Sequence, residues 1–135
     1  MRSTFGICLL AVICFSGCDR DYRVTGTVKL TGRVTDGGEP LQVEGREMGL
    51  GMITIGFCNN DADRIQVDSA QIDDDGNFEL IDGIVPGTYV ITVKQWDPFP
   101  QVDRLKGRFN ERNSKIVREI SETSELVIDL SNPEG

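Results

Sequence analysis

The sequence predicts an all-β domain, an antiparallel β-sandwich of about seven strands, preceded by a signal peptide. Two observations predict the strands: apolar and β-branched residues alternate with polar ones in short runs, and residues that favour turns lie between the runs. No window combines i, i+3, i+4, i+7 apolar spacing with good helix formers, so little helix is expected. At 135 residues the chain has the length of one domain.

Residues 1–17 predict the signal peptide. Arg2 supplies a basic start, Phe5–Phe15 is a continuous apolar run, and two small residues precede Cys18. A helix needs ~20 apolar residues to cross the hydrocarbon of a bilayer, so this run is too short for a stable span. We therefore expect a leader that is removed during export.

The junction Phe15-Ser16-Gly17-Cys18 resembles a bacterial lipobox, although Phe15 stands where that motif usually has Leu. The resemblance implies a lipid on the Cys18 thiol, cleavage before it, and residues 18–23 as a tether to a membrane. Two or three acyl chains, at ~0.8 kcal/mol per buried methylene, hold a protein on a bilayer. Cleavage without acylation, which would give a soluble secreted domain, is the alternative. The choice between inner and outer membrane stays open.

The alternating runs place the strands within a domain predicted over residues 24–130, with 131–135 as a tail. The runs are Val24–Leu30, Ile53–Phe57, Phe78–Leu80, Tyr89–Val93 and Leu126–Leu130. Turn residues at Asp36–Pro40 and Asp74–Asn77 predict hairpins, and Pro86 with Gly87 should precede a strand. The stretch Leu41–Gly51 has a weak pattern and is predicted to be a loop.

One run conflicts with a simple buried face. Ile116, Arg118 and Ile120 would share one side of a strand, which puts a guanidinium among apolar neighbours. Either Arg118 extends to solvent at a sheet margin, or the strand is a bulged edge.

Charge and composition exclude several functions. The formal net charge is −8, and nucleic-acid binding needs clustered Lys and Arg, so nucleic acid is not an expected partner. Histidine is absent, which removes the usual general acid or base near neutral pH and the commonest transition-metal ligand. We therefore expect no enzyme, no metal and no cofactor.

The four cysteines do not form a disulfide framework. Cys8, Cys14 and Cys18 lie in or beside the leader, and Cys58 alone lies in the body. With Cys18 acylated, Cys58 has no partner in the mature chain. We expect it to be a buried small apolar group rather than a reactive thiol.

Five motifs follow one another in order: Val24–Val28, Gly38–Leu41, Gly51–Phe57, Asp75–Leu80 and Ile84–Val93. They resemble the carboxypeptidase regulatory-like domains, which have a transthyretin-like (prealbumin-like) fold, and the segment 109–130 is similar to the end of small bacterial lipoproteins built on that domain. The resemblance covers about 24–130 and implies the same sandwich. The connection 41–51 is longer than in the family. Hydrolases of this fold rely on several histidines and a Tyr-Arg-Gly-Ser ending, and this chain has neither.

Trp96–Pro100 is the strongest candidate binding segment, because it follows a strand, carries Trp96 and Phe99, and contains two prolines. Exposed loop aromatics stack on sugars or anchor a protein partner. The alternative is that Trp96 covers the open end of the sandwich.

Two charged segments are candidates of lower rank. Asp73–Asn77 is rich in carboxylates but lacks the EF-hand spacing, so we interpret it as a hairpin turn rather than a calcium site. The basic residues of Arg104–Arg108 are interpreted as a solvated loop.

These features together predict a non-catalytic, lipid-anchored protein of the cell envelope that acts as an interaction or structural module. Its expected partners are the membrane, through the lipid on Cys18, and an envelope protein or polysaccharide. The alternative is a carbohydrate- or peptide-binding module that uses the Trp96–Pro100 loop.

Overall fold

A computed structural model describes residues 26–122 and 124–135, so the predicted leader, Cys18 and the tether 18–23 lie outside the described residues. Within these residues the chain forms eight strands and one short 3-10 helix, Arg46–Met48. The strands are β1 (Val28–Asp36), β2 (Glu39–Pro40), β3 (Met52–Asn59), β4 (Gln66–Ile72), β5 (Asn77–Ile84), β6 (Gly87–Trp96), β7 (Val117–Ile120) and β8 (Ser124–Asp129). The predicted all-β class is confirmed.

Two sheets form the sandwich. In the first, β1 lies between β5 and β8, and the short β2 continues the hairpin beyond the end of β5; we call it the open sheet. In the second, the order is β4-β3-β6-β7, and we call it the covered sheet. The names refer to the outer faces, since a later segment of chain lies over only the second one.

Most neighbouring strands are antiparallel, as predicted, but β8 pairs with β1 in parallel, with Gly32 opposite Leu126 and Thr35 opposite Asp129. Alternation of side chains reports which face of a strand is buried and carries no information about strand direction. The pattern therefore could not predict that β1 and β8 pair in parallel.

Phe57 lies at the centre of the core. Its ring is 6.1 Å from that of Phe78 and 6.3 Å from that of Tyr89, both tilted toward edge-on contact. Phe78 and Tyr89 are buried as predicted, and the Tyr89 hydroxyl donates a hydrogen bond to the Val85 carbonyl. Aliphatic side chains from both sheets fill the remaining interior, including Leu30, Val34, Ile55, Ile91 and Ile128.

The observed strands depart most from the predicted runs at β1 and at β4. The first run was predicted over Val24–Leu30, but β1 begins at Val28, because Gly26 takes a φ of 103° in a turn, and it continues to Asp36. The strand β4 was not predicted, because this edge strand buries only Ile72 completely and its other residues are mainly polar or exposed.

The carboxylate of Asp129 joins the end of β8 to the β1–β2 turn. Its two oxygens accept hydrogen bonds from the backbone N–H groups of Gly37 and Gly38, at 2.9 and 3.0 Å. Ser131 donates to the same carboxylate, and its bonds, together with those from the turn, hold the pKa of Asp129 below its ordinary value. A side chain 92 residues away thus completes the first hairpin.

The position of Arg118 on the edge strand β7 explains how its guanidinium can lie beside apolar neighbours. The guanidinium is half-buried and donates to the carbonyl oxygens of Pro133 and Gly135, at 3.1 and 3.2 Å. Arg118 therefore lies at a sheet margin, one of the two outcomes expected, and the predicted tail 131–135 folds back onto it.

The strands give the sandwich two distinct ends. The proximal end holds Gly26, where the described chain begins, the β5–β6 connection, the end of β7 and the start of β8. The distal end holds the connections 41–51 and 73–76 and the loop that follows Trp96. At ~3.3 Å per residue, β1 separates the two ends by ~26 Å.

Candidate functional site

The Trp96–Pro100 segment leaves the end of β6 at the distal end of the sandwich. The rings of Trp96 and Phe99 lie 6.2 Å apart and nearly perpendicular, at 89°. Trp96 is half-buried, whereas the side chain of Phe99 is 44% exposed. The structure thus brings the two predicted binding residues together, with Trp96 supporting the more exposed Phe99.

The side chain of Asp103 stabilises the chain that follows this loop through hydrogen bonds to the backbone. Its carboxylate accepts hydrogen bonds from the N–H groups of Gln95, Leu105 and Gly107, at 3.0 to 3.1 Å. A carboxylate can satisfy several backbone donors at once, and here it closes the turn after Trp96. No signal in the sequence distinguishes Asp103 from the other acidic residues.

The connection 41–51 lies beside the aromatic loop. The Phe99 N–H donates to the Leu50 carbonyl, and the Gln95 side-chain amide donates to the Gln42 carbonyl at 2.6 Å. Arg46 turns the other way, where Nη1 donates to the Ile72 carbonyl at 2.9 Å and Nε lies beside the Asp74 carboxylate. The two loops therefore form one unit at the distal end.

Asp73–Asn77 is a turn, as predicted, but it does not close a hairpin, because β4 belongs to the covered sheet and β5 to the open sheet. The Asp73 carboxylate accepts from the N–H groups of Asp75 and Asn77, and Gly76 takes a φ of 84° to close the turn. Over residues 26–122 and 124–135 no group of three or more His, Cys, Asp or Glu side chains is placed to hold a metal ion.

The basic residues of Arg104–Arg108 are exposed, as predicted for a solvated loop. The Arg104 guanidinium lies 3.9 Å from the carboxylate of Asp97, and the Arg108 guanidinium lies over the Phe109 ring at 5.0 Å from its centre. Both contacts are within the chain.

A polar cluster on the outer face of the covered sheet was missed by sequence reasoning. Lys94 pairs with Glu111, and the Arg64 guanidinium donates to the carbonyl oxygens of Glu111 and Ser114, both at 3.0 Å. Burial alone would raise the pKa of Glu111, but its hydrogen bond from Lys94 and its own backbone N–H hold that pKa below the ordinary value. The partners are far apart in sequence, so no local pattern could have revealed them.

Cys58 is fully buried near the end of β3, as predicted. Burial raises the pKa of its thiol, and the nearby charge of Glu111 raises it further, against smaller opposing effects of Lys94 and Arg64. A thiol held neutral in this way is a poor nucleophile.

Cys18, the predicted site of lipidation, lies outside the described residues. Among residues 26–122 and 124–135, no helix is both long enough and apolar enough to cross a bilayer.

No protein-family model and no curated protein sequence matches the chain. Among solved structures, the chain is similar to the crystal structure of a DUF3823 family protein from Parabacteroides merdae, with 19% sequence identity and a TM-score of 0.44. The similarity covers 76% of this chain and 44% of that one, so the chain spans less than half the length of that protein.

Proposed function

We propose that this chain is a non-catalytic, lipid-anchored protein of the cell envelope whose β-sandwich acts as an interaction or structural module. The observation that carries the proposal is the separation of the two ends. The described chain begins at the proximal end, next to the proposed anchor, and the candidate binding loops lie ~26 Å away at the distal end. An anchored module of this shape presents its loops away from the membrane.

The tether sets how far the domain stands from the bilayer. Gly26 lies eight positions after Cys18, and an extended chain spans at most ~3.6 Å per position, so the proximal end lies within ~29 Å of the anchored residue. Lipid on Cys18 would thus hold the domain close to the membrane surface.

The roles of the carboxylates support a non-catalytic protein. Asp73, Asp103 and Asp129 all accept hydrogen bonds from backbone N–H groups of turns, and Glu111 is paired with Lys94. Catalytic acids and bases need a proton to exchange with a substrate, and these groups are engaged in holding loops.

We further propose that the sandwich is the transthyretin-like one of carboxypeptidase regulatory-like domains. Three of the motifs that carry the resemblance lie at turns and strand starts: Gly38–Leu41 includes the short β2, Asp75–Leu80 leads from a turn into β5, and Pro86 with Gly87 enters β6. Their order along the chain supports the assignment.

The anchor is tested by the intact mass of the protein extracted from membranes of the source cells. We expect a chain that begins at Cys18 and carries two or three acyl groups. The Cys18→Ser variant should lack the lipid mass and leave the membrane fraction. A wild-type chain of full length, or one cleaved without added lipid, would contradict the anchor.

A ligand-binding role for the Trp96–Pro100 loop is the second candidate, and the exposed Phe99 ring beside Trp96 favours it. Trp96 is the only tryptophan in the sequence, so its fluorescence reports on this loop alone. Saturable quenching by an envelope polysaccharide or peptide, lost in Phe99→Ser, would support this candidate, and unchanged fluorescence would oppose it.

A further inference from the structure

Four apolar side chains are exposed on the two linked loops of the distal end. Met48 is 73%, Leu50 48%, Phe99 44% and Val102 41% exposed. We call these four residues the distal patch. Single exposed apolar residues are ordinary on a protein surface, but several on adjoining loops are typical of interaction sites.

The loops that carry the distal patch are held before any partner arrives. Phe99 and Leu50 are joined through the backbone, Gln95 holds Gln42, and Asp103 closes the aromatic loop. Because the loops are already ordered, binding costs them little conformational entropy, which favours affinity.

The chemistry of the patch favours a protein partner over a sugar. Sugar sites combine a flat exposed ring with side chains that bond hydroxyl groups, but here the two rings are perpendicular and Trp96 is half-buried. The nearby carboxylates of Asp97 and Asp103 face Arg104 and backbone N–H groups within the chain. The exposed surface offered to a partner is mainly aliphatic, thioether and phenyl.

The charge is negative on the side of the patch that the connection 41–51 forms. Glu44 and Glu47 are exposed on the same connection as Met48 and Leu50, whereas Arg46 points to Asp74. Complementary charge speeds encounter and selects partners, so a matching surface carries Lys or Arg around its apolar residues.

We propose that the distal patch docks a protein partner whose apolar contact residues are bordered by lysine or arginine. This inference deepens the interaction role proposed above, on which it rests, and names its surface and the kind of partner. A chain anchored at Cys18 turns this end away from the bilayer, so the lipid itself is not the occupant.

Site-specific photo-crosslinking in the source cells tests the proposal on the full chain. A photoreactive amino acid replaces Leu50 in one variant and, as the matched control, Val127, which is 61% exposed on the open sheet. We expect one discrete protein adduct from position 50 and none from position 127, with the linked peptide identified and bearing apolar residues beside Lys or Arg.

Affinity measured with that purified partner then tests the chemistry. Leu50→Ser should weaken binding by about tenfold or more, as for a central interface residue. Glu47→Lys should weaken it by about threefold at low salt and by less at high salt, because a peripheral charge acts mainly through screened attraction. Val127→Ser should leave the affinity unchanged, and all three variants should melt at the wild-type temperature.

Several results would overturn the docking surface. They are adducts to a second copy of this chain, to lipid or to polysaccharide; equal adducts from both positions; no adduct from position 50; and binding that Leu50→Ser leaves intact. The intact mass separates this test from the anchor. An acylated chain without a position-50 adduct contradicts only the docking, and an unacylated chain with one contradicts only the anchor.

Discussion

The outer faces of the two sheets differ sharply. On the open sheet, Lys29, Glu79 and Val127 are exposed to solvent, and Lys29 pairs with Glu79 at 3.0 Å. On the covered sheet, Val90 and Thr92 are buried although they are not part of the main core. The same kind of strand thus has one buried face in the first sheet and two in the second.

The covering segment is the chain between β6 and β7. It runs along the edge of β6, where the Ile91 and Val93 N–H groups donate to the carbonyl oxygens of Ile116 and Phe109. Ser114 within it is buried and donates its hydroxyl to the Ile91 carbonyl. The comparison teaches that an outer face of a sheet becomes a second, smaller core when a long connection folds back over it.

The largest expected difference is between two valines, Val90 on the outer face of the covered sheet and Val127 on the outer face of the open sheet. Val90→Ala should lower the free energy of unfolding by about 2–3 kcal/mol, because it removes fully buried methyl groups and leaves a cavity. Val127→Ala on the open sheet should change it by less than about 0.5 kcal/mol. Urea unfolding followed by circular dichroism measures both, and equal effects would show that the two faces are equally exposed.

Removing the Arg64 guanidinium should have an intermediate effect. Arg64 has a φ of 47°, which asparagine tolerates, so Arg64→Asn keeps the backbone while deleting the bonds to residues 111 and 114. We expect a loss of about 1–3 kcal/mol from unsatisfied carbonyl groups under the covering segment. Lys29→Ala, which removes an exposed pair on the open sheet, should cost less than about 1 kcal/mol. The same urea series measures both, and a neutral Arg64→Asn would contradict the role of this bond set.

The smallest expected effect is on the acid dependence of stability. The pKa of Glu111 is lower in the folded chain than its ordinary value of 4.5. The unfolded chain therefore binds more protons between the two values, and the contribution of Glu111, full above pH 4.5, is lost as pH falls through the folded pKa. Folding also lowers the pKa of Asp129 in the open sheet, so its contribution to stability is likewise lost as pH falls.

Melting temperatures across an acid series measure this dependence. Glu111→Gln and Asp129→Asn should each show a shallower fall toward low pH than the wild type. Val127→Ala, which changes no titrating group, should keep the full slope. A Glu111→Gln profile parallel to that of the wild type would show that Glu111, on the covered sheet, does not contribute to the fall in melting temperature at low pH.

Local pattern was sufficient where apolar or aromatic residues recur at every second position of a strand. The alternation at Phe78–Leu80 and Tyr89–Val93 predicted β5 and β6, and turn residues predicted the turn at Asp73–Asn77, although that turn joins the two sheets rather than a hairpin. β4 was not predicted, because an edge strand with one fully buried residue has too few apolar residues to show a two-residue period.

The site was predictable only in part, for a physical reason. Trp96 and Phe99 were identified because large aromatics beside prolines mark a loop. Met48 and Leu50 were not, because what makes them part of the patch is the hydrogen bond from Phe99 to Leu50, between residues 49 positions apart. Contacts that join distant loops leave no periodic trace in a sequence.

The parallel pair of β1 with β8, and the Asp129 bonds to Gly37 and Gly38, also have a kinetic consequence. β1 acquires its pairing partner on one side only after residues 124–129 have been synthesised. Contacts this remote along the chain make folding slow, since loop closure must precede the gain from pairing. The turn of the first hairpin therefore lacks the Asp129 bonds to Gly37 and Gly38 until the end of the last strand has been made.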